Sequence, residues 1–404
     1  MTDRENFASI TSKLSISIEN ISNEKLFALL KNYPEELLIN NSFSKSIIKV
    51  DQEYLESLKT LSKLLNELFV KIVYNYIRDY SLQKIIQLDK KLLEILYMCE
   101  GTPYELGMYA LNFVYDASGQ PKINQVHSSS PIEGWLTSHY LNSSIYKLSN
   151  TSNQKWRSVA CDQNIISDIS NRYDCDDPIF FITTGNDSPE AKILKKELKR
   201  FNFEIISTSP NELKLEDRQI IAKGKVGRQF YLNLDREELK MFDSAVLRAI
   251  IASGRCINDV RTTILIHDKR LFAILFSEEI IASYMDQEEY KFLKPFLIPT
   301  FTLSSQQDQD FLLNSTEKWI LMHCYSNYLV VVNGEKDTRD WAKIKDWENY
   351  IVQPYFEHKS FQSENDGELK IQNSSLFFNA KSFGPSMFYS YQTNKHFLIP
   401  CVLE

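Results

Sequence analysis

Glycine is scarce in this chain, with 11 residues in 404 positions where about 7% is usual. Loops that wrap phosphate in backbone N–H groups need glycine for close approach and for positive φ. A nucleotide site would therefore have to be built with little of the usual material. No G-x-G-x-x-G occurs, and Gly224-Lys225-Val226-Gly227-Arg228 lacks both the strand–loop–helix setting and the Lys-Ser/Thr ending of a phosphate loop. The six cysteines (Cys99, Cys161, Cys175, Cys256, Cys324 and Cys401) contain no C-x-x-C pair, which speaks for isolated thiols over a disulfide framework or a zinc site. The six histidines show no H-x-x-x-H or H-x-E spacing, so no metal centre is expected. Lys and Arg number 46 against 53 Asp and Glu, for a net charge of −7 without a basic block, and nucleic acid is not an expected partner. Apolar runs such as Phe292 to Leu303 are broken by Lys or Pro and fall short of the roughly 20 residues a spanning helix requires. Met1 to Asn6 is polar and leads into no apolar core, so the sequence predicts a soluble, cytoplasmic protein without a secretory leader or membrane partner. Ser128-Ser129-Ser130 has no G-x-S-x-G elbow, and no hydrolase is expected.

What is present is ordinary globular composition, 43% hydrophobic and 25% charged, at a length suited to two or three domains. Residues 1 to 100 read as helical, because Leu55, Leu58, Leu61, Leu64, Leu65 and Leu68 recur at three- and four-residue spacing, and Ile85 to Leu96 continues the pattern. Tyr109 to Tyr115, a turn at Asp116-Ala117-Ser118-Gly119, and Pro121 to Val126 predict a hairpin. The Asn- and Ser-rich stretch 141–175 reads as a boundary or long connection. Pro178 to Thr184 predicts a buried strand, Ser188-Pro189 a helix start, Ala191 to Arg200 a helix and Phe203 to Ser207 a second strand, which together make a parallel βαβ unit. Further on, a helix is expected near Arg236 to Ser253, a strand end at Ile264 to Ile266 and a helix from Asp268 to Phe276. Trp319 to Met322 and Tyr328 to Val332 predict a hairpin, Asp340 to Ile344 a helix and Tyr350 to Tyr355 a strand.

Four segments, in this order, resemble the circularly permuted ATP-grasp ligases, the group that includes glutathionylspermidine-synthase-like proteins and peptide-bond-forming biosynthetic enzymes. The first runs from Ala110-Leu111-Asn112-Phe113 through Asp116 to Lys122 and Gln125-Val126-His127-Ser128-Ser129-Ser130-Pro131. It is similar to the family's R-x-D-F, D-x-x-G-x-P-K and E-x-N-x-x-S-P. The second is the βαβ unit at 178–207 with its continuation to Lys225, which resembles a pre-ATP-grasp domain. The third, Ile257-Asn258-Asp259 through His267-Asp268-Lys269 to Leu275, resembles an N-P followed by a D/N-K helix. The fourth, Trp319 to His323 through Asp340-Trp341 to Tyr350-Ile351-Val352-Gln353-Pro354-Tyr355, is similar to the L-K-P strand, the nucleotide lid and the adenine-hinge strand. The resemblance implies an α/β (α+β), ATP-grasp-like, circularly permuted fold. Its parts would be an N-terminal helical region at 1–100, a hairpin segment with a degenerate metal site and connection at 101–175, a pre-ATP-grasp-like α/β domain at 176–256 and ATP-grasp-like lobes at 257–404.

The departures from the family pattern carry the functional expectation. Where the family's Asp, Glu and Asn hold Mg²⁺ against nucleotide phosphates, this chain has Asn112, Gln125 and His127, two amides in place of two carboxylates. The family Arg falls at Ala110 and the lid Lys at Met322, and Tyr325-Ser326-Asn327-Tyr328 stands where the glycine-rich lid would be. Lys269, Gln353 and Tyr355 remain as nucleotide-contact candidates, and a solvent-facing lysine is the equal alternative for Lys269. Asn112, Gln125, His127 and Ser130 are the pocket candidates, with His127 open to reading as a proton carrier or as a merely hydrogen-bonded strand-end residue. The expectation is a catalytically diverged ATP-grasp homologue, a pseudoenzyme or a repurposed pocket, that binds a small molecule, peptide or partner protein in a peptide or specialised-metabolite pathway. The alternative is an active ATP- and Mg²⁺-dependent carboxylate–amine ligase acting through an acyl phosphate.

Overall fold

A computed structural model describes residues 16–39, 42–129, 134–151, 156–160, 164–303, 305–326, 329–332, 346–392 and 395–403. Ser130, Cys161 and the expected helix at 340–344 lie outside them. The first described strands are β1 (Ile16–Asn20) and β2 (Ser46–Val50), an antiparallel pair whose second strand also runs parallel to the last described strand, with Ile48 opposite Cys401. The described residues between 16 and 100 are thus helical around two strands that their own neighbourhood does not announce, because one partner lies at the far end of the chain. The helix Gln52–Asn75 begins where the Asp51 carboxylate accepts Tyr54 N–H at 2.7 Å, a standard N-cap. Its leucine stripe, including Leu58, Leu61, Leu65 and Leu68, is buried.

β3 (Met108–Tyr115) and β4 (Pro121–His127) form the predicted hairpin. The stretch read as a connection instead carries the helices Trp135–Thr151 and Ile165–Ser170. The N-terminus of the first is capped by a residue distant in sequence, since the Glu190 carboxylate accepts Thr137 N–H at 3.0 Å and Thr137 Oγ1–H at 2.6 Å.

The βαβ unit forms as read. β5 (Ile179–Ile182) is buried on both faces, as parallel strands under helices are. Ser188 Oγ accepts Ala191 N–H to open the helix Pro189–Arg200, and β6 (Ile205–Thr208) pairs parallel to β5. β7 (Lys214–Glu216), β8 (Gln219–Ala222) and β9 (Lys225–Gly227) make a small antiparallel sheet. β10 (Gln229–Leu232) returns to the parallel sheet, and the helices Arg236–Leu239 and Ser244–Ser253 lead to β11 (Cys256–Ile257), giving the order β11-β10-β5-β6. Ile264 to Ile266 is not a strand end: Thr262–Ile266 is a π-helical turn followed by the helix Leu271–Phe276. A short, wholly buried, β-branched run offers no period that separates the two structures.

β12 (Phe301–Thr302), β13 (Trp319–His323), β14 (Leu329–Val332) and β15 (Tyr350–Pro354) form an antiparallel sheet in the order β12-β15-β13-β14. β16 (Ser360–Ser363), β17 (Gly367–Phe378), β18 (Lys381–Gln392) and β19 (Lys395–Ile399) join the first hairpin in the central sheet β19-β18-β17-β3-β4, with β16 on β17, before the final strand β20 (Cys401–Leu403). A single buried cluster, with Leu61, Phe113, Phe230, Leu271 and Phe388 among its members, runs from the long helix through the central and parallel sheets. Among the described residues no helix is long and apolar enough to cross a membrane.

Candidate functional site

The β3–β4 register sets Asn112 opposite Gln125 and Ala110 opposite His127, so the four sequence positions of the degenerate motif meet on one hairpin. Asn112 Nδ2 donates to Gln125 Oε1 at 3.3 Å. One amide donates to the other where two carboxylates would need a cation between them. Beyond them the His127 ring lies edge-on to His267 with centroids 5.2 Å apart.

His267 was not identified from sequence, and it is the better-defined imidazole. Its Nδ1 accepts the Ser128 N–H at 3.2 Å, and Nε2 lies 3.2 Å from Ser129 Oγ. A backbone N–H can only donate, so Nδ1 is the bare nitrogen and Nε2–H points at the Ser129 hydroxyl. Burial, then the neighbouring His127 and Lys269, push its pKa down to about 3, leaving a neutral ring near pH 7. A nitrogen that donates to Ser129 cannot accept its proton, so this pair is not an activated nucleophile.

The hairpin is fixed from β11 by Asn258. Its Oδ1 accepts Met108 N–H at 2.9 Å, and Nδ2 donates to the carbonyls of Met108 and Ser128, each at 3.1 Å. Asn258 itself adopts φ of +59°, a conformation that asparagine tolerates better than other side-chain-bearing residues. Asparagine followed by Asp259 was the only sequence signal for this role.

Lys269 is buried, and its ammonium donates to the carbonyls of His323, at 3.1 Å, and Ser326. Burial lowers its pKa. It holds the start of one helix against the end of β13. Beside it the Asp268 carboxylate takes Arg236 Nη1 at 2.7 Å and both Nε and Nη2 of Arg270, at 3.0 and 2.7 Å. Burial raises the Asp268 pKa, but the Arg270 and Arg236 guanidiniums outweigh it and hold the carboxyl below its usual range. The Arg236 guanidinium lies 3.7 Å over the Tyr325 ring, and His323 packs against Tyr325 and Tyr350, at 4.2 and 5.1 Å. Aromatic and cationic side chains thus interlock at the segment where a glycine-rich lid would leave backbone exposed for phosphate.

Gln353 is buried and its Nε2 donates to Thr300 Oγ1 at 2.9 Å, whereas Tyr355 is exposed. Lys269 and Gln353 both touch the β13–β15 pair, where His323 is opposite Tyr350 and Ile320 opposite Gln353. The hairpin donor set does not fit Mg²⁺, which requires anionic or multiple hard oxygen ligands. Among the described residues the one cluster of three His, Cys, Asp or Glu ligand atoms is Asp174, Cys175 and Asp176, exposed and on a turn before β5.

Residues 61–265, just over half of the chain, match the family model described as the AnkG N-terminal domain. No curated protein matches the sequence. Among solved structures, the apo form of a glutathione synthetase-like effector, GSS30 from Globodera pallida, superposes with a TM-score of 0.58 at 10% identity, over 96% of this chain and 100% of that one. This likeness shows the fold, a mixed α/β architecture of glutathione-synthetase-like, ATP-grasp type.

Proposed function

The chain belongs to the AnkG N-terminal domain family, and on that premise we propose that it is a binding protein on a diverged ATP-grasp-type fold, without Mg²⁺·nucleotide chemistry. The observation that carries this reading is the Asn112–Gln125 hydrogen bond. Two side chains at the metal-ligating positions implied by the family resemblance are neutral amides joined to each other by a hydrogen bond. The engagement of Lys269 with main-chain carbonyls and of Gln353 with Thr300 supports the same conclusion. So does His267, whose two ring nitrogens are both occupied and which offers no route to metal-free proton transfer through Ser129.

The order of the four motif segments supports a circularly permuted version of the fold and the fourfold division of the chain given above. The cargo on this reading is a small molecule, peptide or partner protein, encountered in the cytoplasm, and the peptide or specialised-metabolite setting rests on fold analogy. Calorimetric titration of the full chain with ATP, with and without Mg²⁺, tests the reading. No binding, or binding indifferent to Mg²⁺, supports it. Mg²⁺-dependent binding followed by ADP release would overturn it in favour of a ligase.

A further inference from the structure

A cavity of about 400 Å³ opens along β11, the edge strand of the parallel sheet, bounded by Leu232 of β10, by Arg255 just before β11, by Cys256 and Ile257 within it and by Val260 after it. Its volume falls within the range of small-molecule sites, about 300 to 1,000 Å³. None of the candidate residues above lines it.

Its walls are unlike one another. Leu232, Ile250 and Val260 give an apolar floor. The last turn of the helix Ser244–Ser253 lines one side, through Ile251 and Ala252, and brings the negative end of a helix dipole with it. The ionic groups of the rim differ in how fully they are used. Asp259 is held by two hydrogen bonds from the Arg261 guanidinium, at 2.9 and 2.6 Å, and one from its backbone N–H, at 2.8 Å, and Arg172 is in contact with Glu105. Arg255 is half-exposed and, among the described residues, its guanidinium has only Asp177, 3.6 Å away, and Arg228 approaches that same carboxylate at 3.6 Å. One carboxylate therefore serves two guanidiniums, and Arg255 keeps capacity for a further anion.

We propose that this cavity binds a zwitterionic amino acid or dipeptide with an apolar side chain. The ligand carboxylate meets Arg255, its side chain covers the Leu232–Val260 floor, and its ammonium faces the carbonyl end of the helix. Cys256 takes no chemical part: its thiol donates to the Asn258 carbonyl at 3.5 Å, and burial pushes it well above the ordinary thiol range. The inference names a ligand class for the binding role proposed above but places it away from the hairpin, so the ATP titration and the following test succeed or fail separately.

The test is titration of the full chain with L-leucine and glycyl-L-leucine, and with N-acetyl-L-leucine and L-leucinamide, in which one charge is removed. Arg255→Glu reverses the proposed carboxylate partner and Ala252→Trp narrows the mouth. Both sites are exposed, and each variant is first shown to unfold at the wild-type temperature. The expected result is binding of at least one zwitterion, weakened roughly tenfold or more by either capping group and by Arg255→Glu, the scale of one lost charge-assisted hydrogen bond. The proposal is overturned if neither zwitterion binds at about 10 mM, if capped and free ligands bind alike, or if both variants bind as wild type does.

Discussion

Gly107 lies against Asn258 so closely that a Cβ built on the glycine would sit 2.6 Å from Asn258 Oδ1. The contact follows from what Asn258 has to reach. From the end of β11 it holds the first residue of β3 through both main-chain groups and the residue just after β4 through its carbonyl. One side chain thereby sets the distance between the parallel sheet and the hairpin that bears Asn112, Gln125 and His127.

Gly107→Ala should therefore be costly twice, through its φ of +78° and through the displacement of Asn258. The expected loss is about 2 to 3 kcal/mol in urea unfolding. Asn258→Ala forfeits three buried hydrogen bonds and keeps an unfavourable φ, for about 3 to 4 kcal/mol, while Asn258→Gly relieves the backbone and should be milder by about 1 kcal/mol. An alanine variant as stable as the glycine variant would show that the left-handed backbone at 258 carries no cost.

Acid sensitivity should trace to His267. Burial and the adjacent His127 and Lys269 bring its pKa from 6.5 to about 3 in the folded chain. A base depressed in this way contributes stability that is complete above the unfolded value and is lost as pH falls through 6.5 toward 3. At about 1.4 kcal/mol per pH unit, some 2 to 3 kcal/mol should disappear between about pH 7 and 4.5. His267→Gln removes the titrating ring, so its denaturation midpoints should vary less over that interval than those of wild type. Parallel losses in the two proteins would assign the acid sensitivity elsewhere.

The parts of this molecule that could be read from sequence are those whose causes are local. Ser188 and Pro189 mark the helix of the βαβ unit within four residues of its start, and Asp116 to Gly119 mark the turn of the hairpin. The elements missed depend on distant partners. β1 and β2 are completed by Cys401 to Leu403, and the polar helix Trp135–Thr151 is capped by Glu190. The site divides in the same way. Asn112 and Gln125 stood out as amides in an otherwise recognisable pattern, while the meeting of His267 with Ser128 and Ser129 is made by topology across 138 or more positions.

Asp268 holds two buried guanidiniums, and Asp268→Asn would leave both without their counter-charge while nearly preserving shape. The expected cost is about 3 to 5 kcal/mol. Because its folded pKa is lowered, the Asp268 contribution is present above the unfolded carboxylate value and is lost only as pH falls through the folded one. It should stay constant between about pH 7 and 4.5, the part of the His267 interval that lies above the unfolded carboxylate value. Adding Arg236→Met to Asp268→Asn should recover part of the loss, since one of the stranded charges is gone. A double variant no better than the single would mean that Arg270 alone sets the penalty.

Restoring both carboxylates on the hairpin is the sharpest separation of fold from chemistry. Asn112→Asp alone should be tolerated, because the Gln125 amide can turn its NH₂ toward the new carboxylate. Asn112→Asp with Gln125→Glu instead places two acids opposite each other across the register that now holds the 3.3 Å amide pair. Like charges at that spacing raise the folded pKa of one carboxyl above its unfolded value. The double variant should then be less stable than wild type at pH 7, by about 1 to 2 kcal/mol, and should approach it as pH falls through the raised pKa. Added Mg²⁺ should recover stability only in the double variant, because only it presents a pair of facing carboxylates to a hard cation. ATP hydrolysis should remain absent even so, since Met322 stands at the lid-lysine position and His323, Tyr325 and Tyr350 stay interlocked. Thermal unfolding against pH and Mg²⁺, with phosphate release followed in parallel, measures both arms. Turnover in the double variant would mean that two carboxylates are enough to restore nucleotide chemistry and that the aromatic cluster is no obstacle to it.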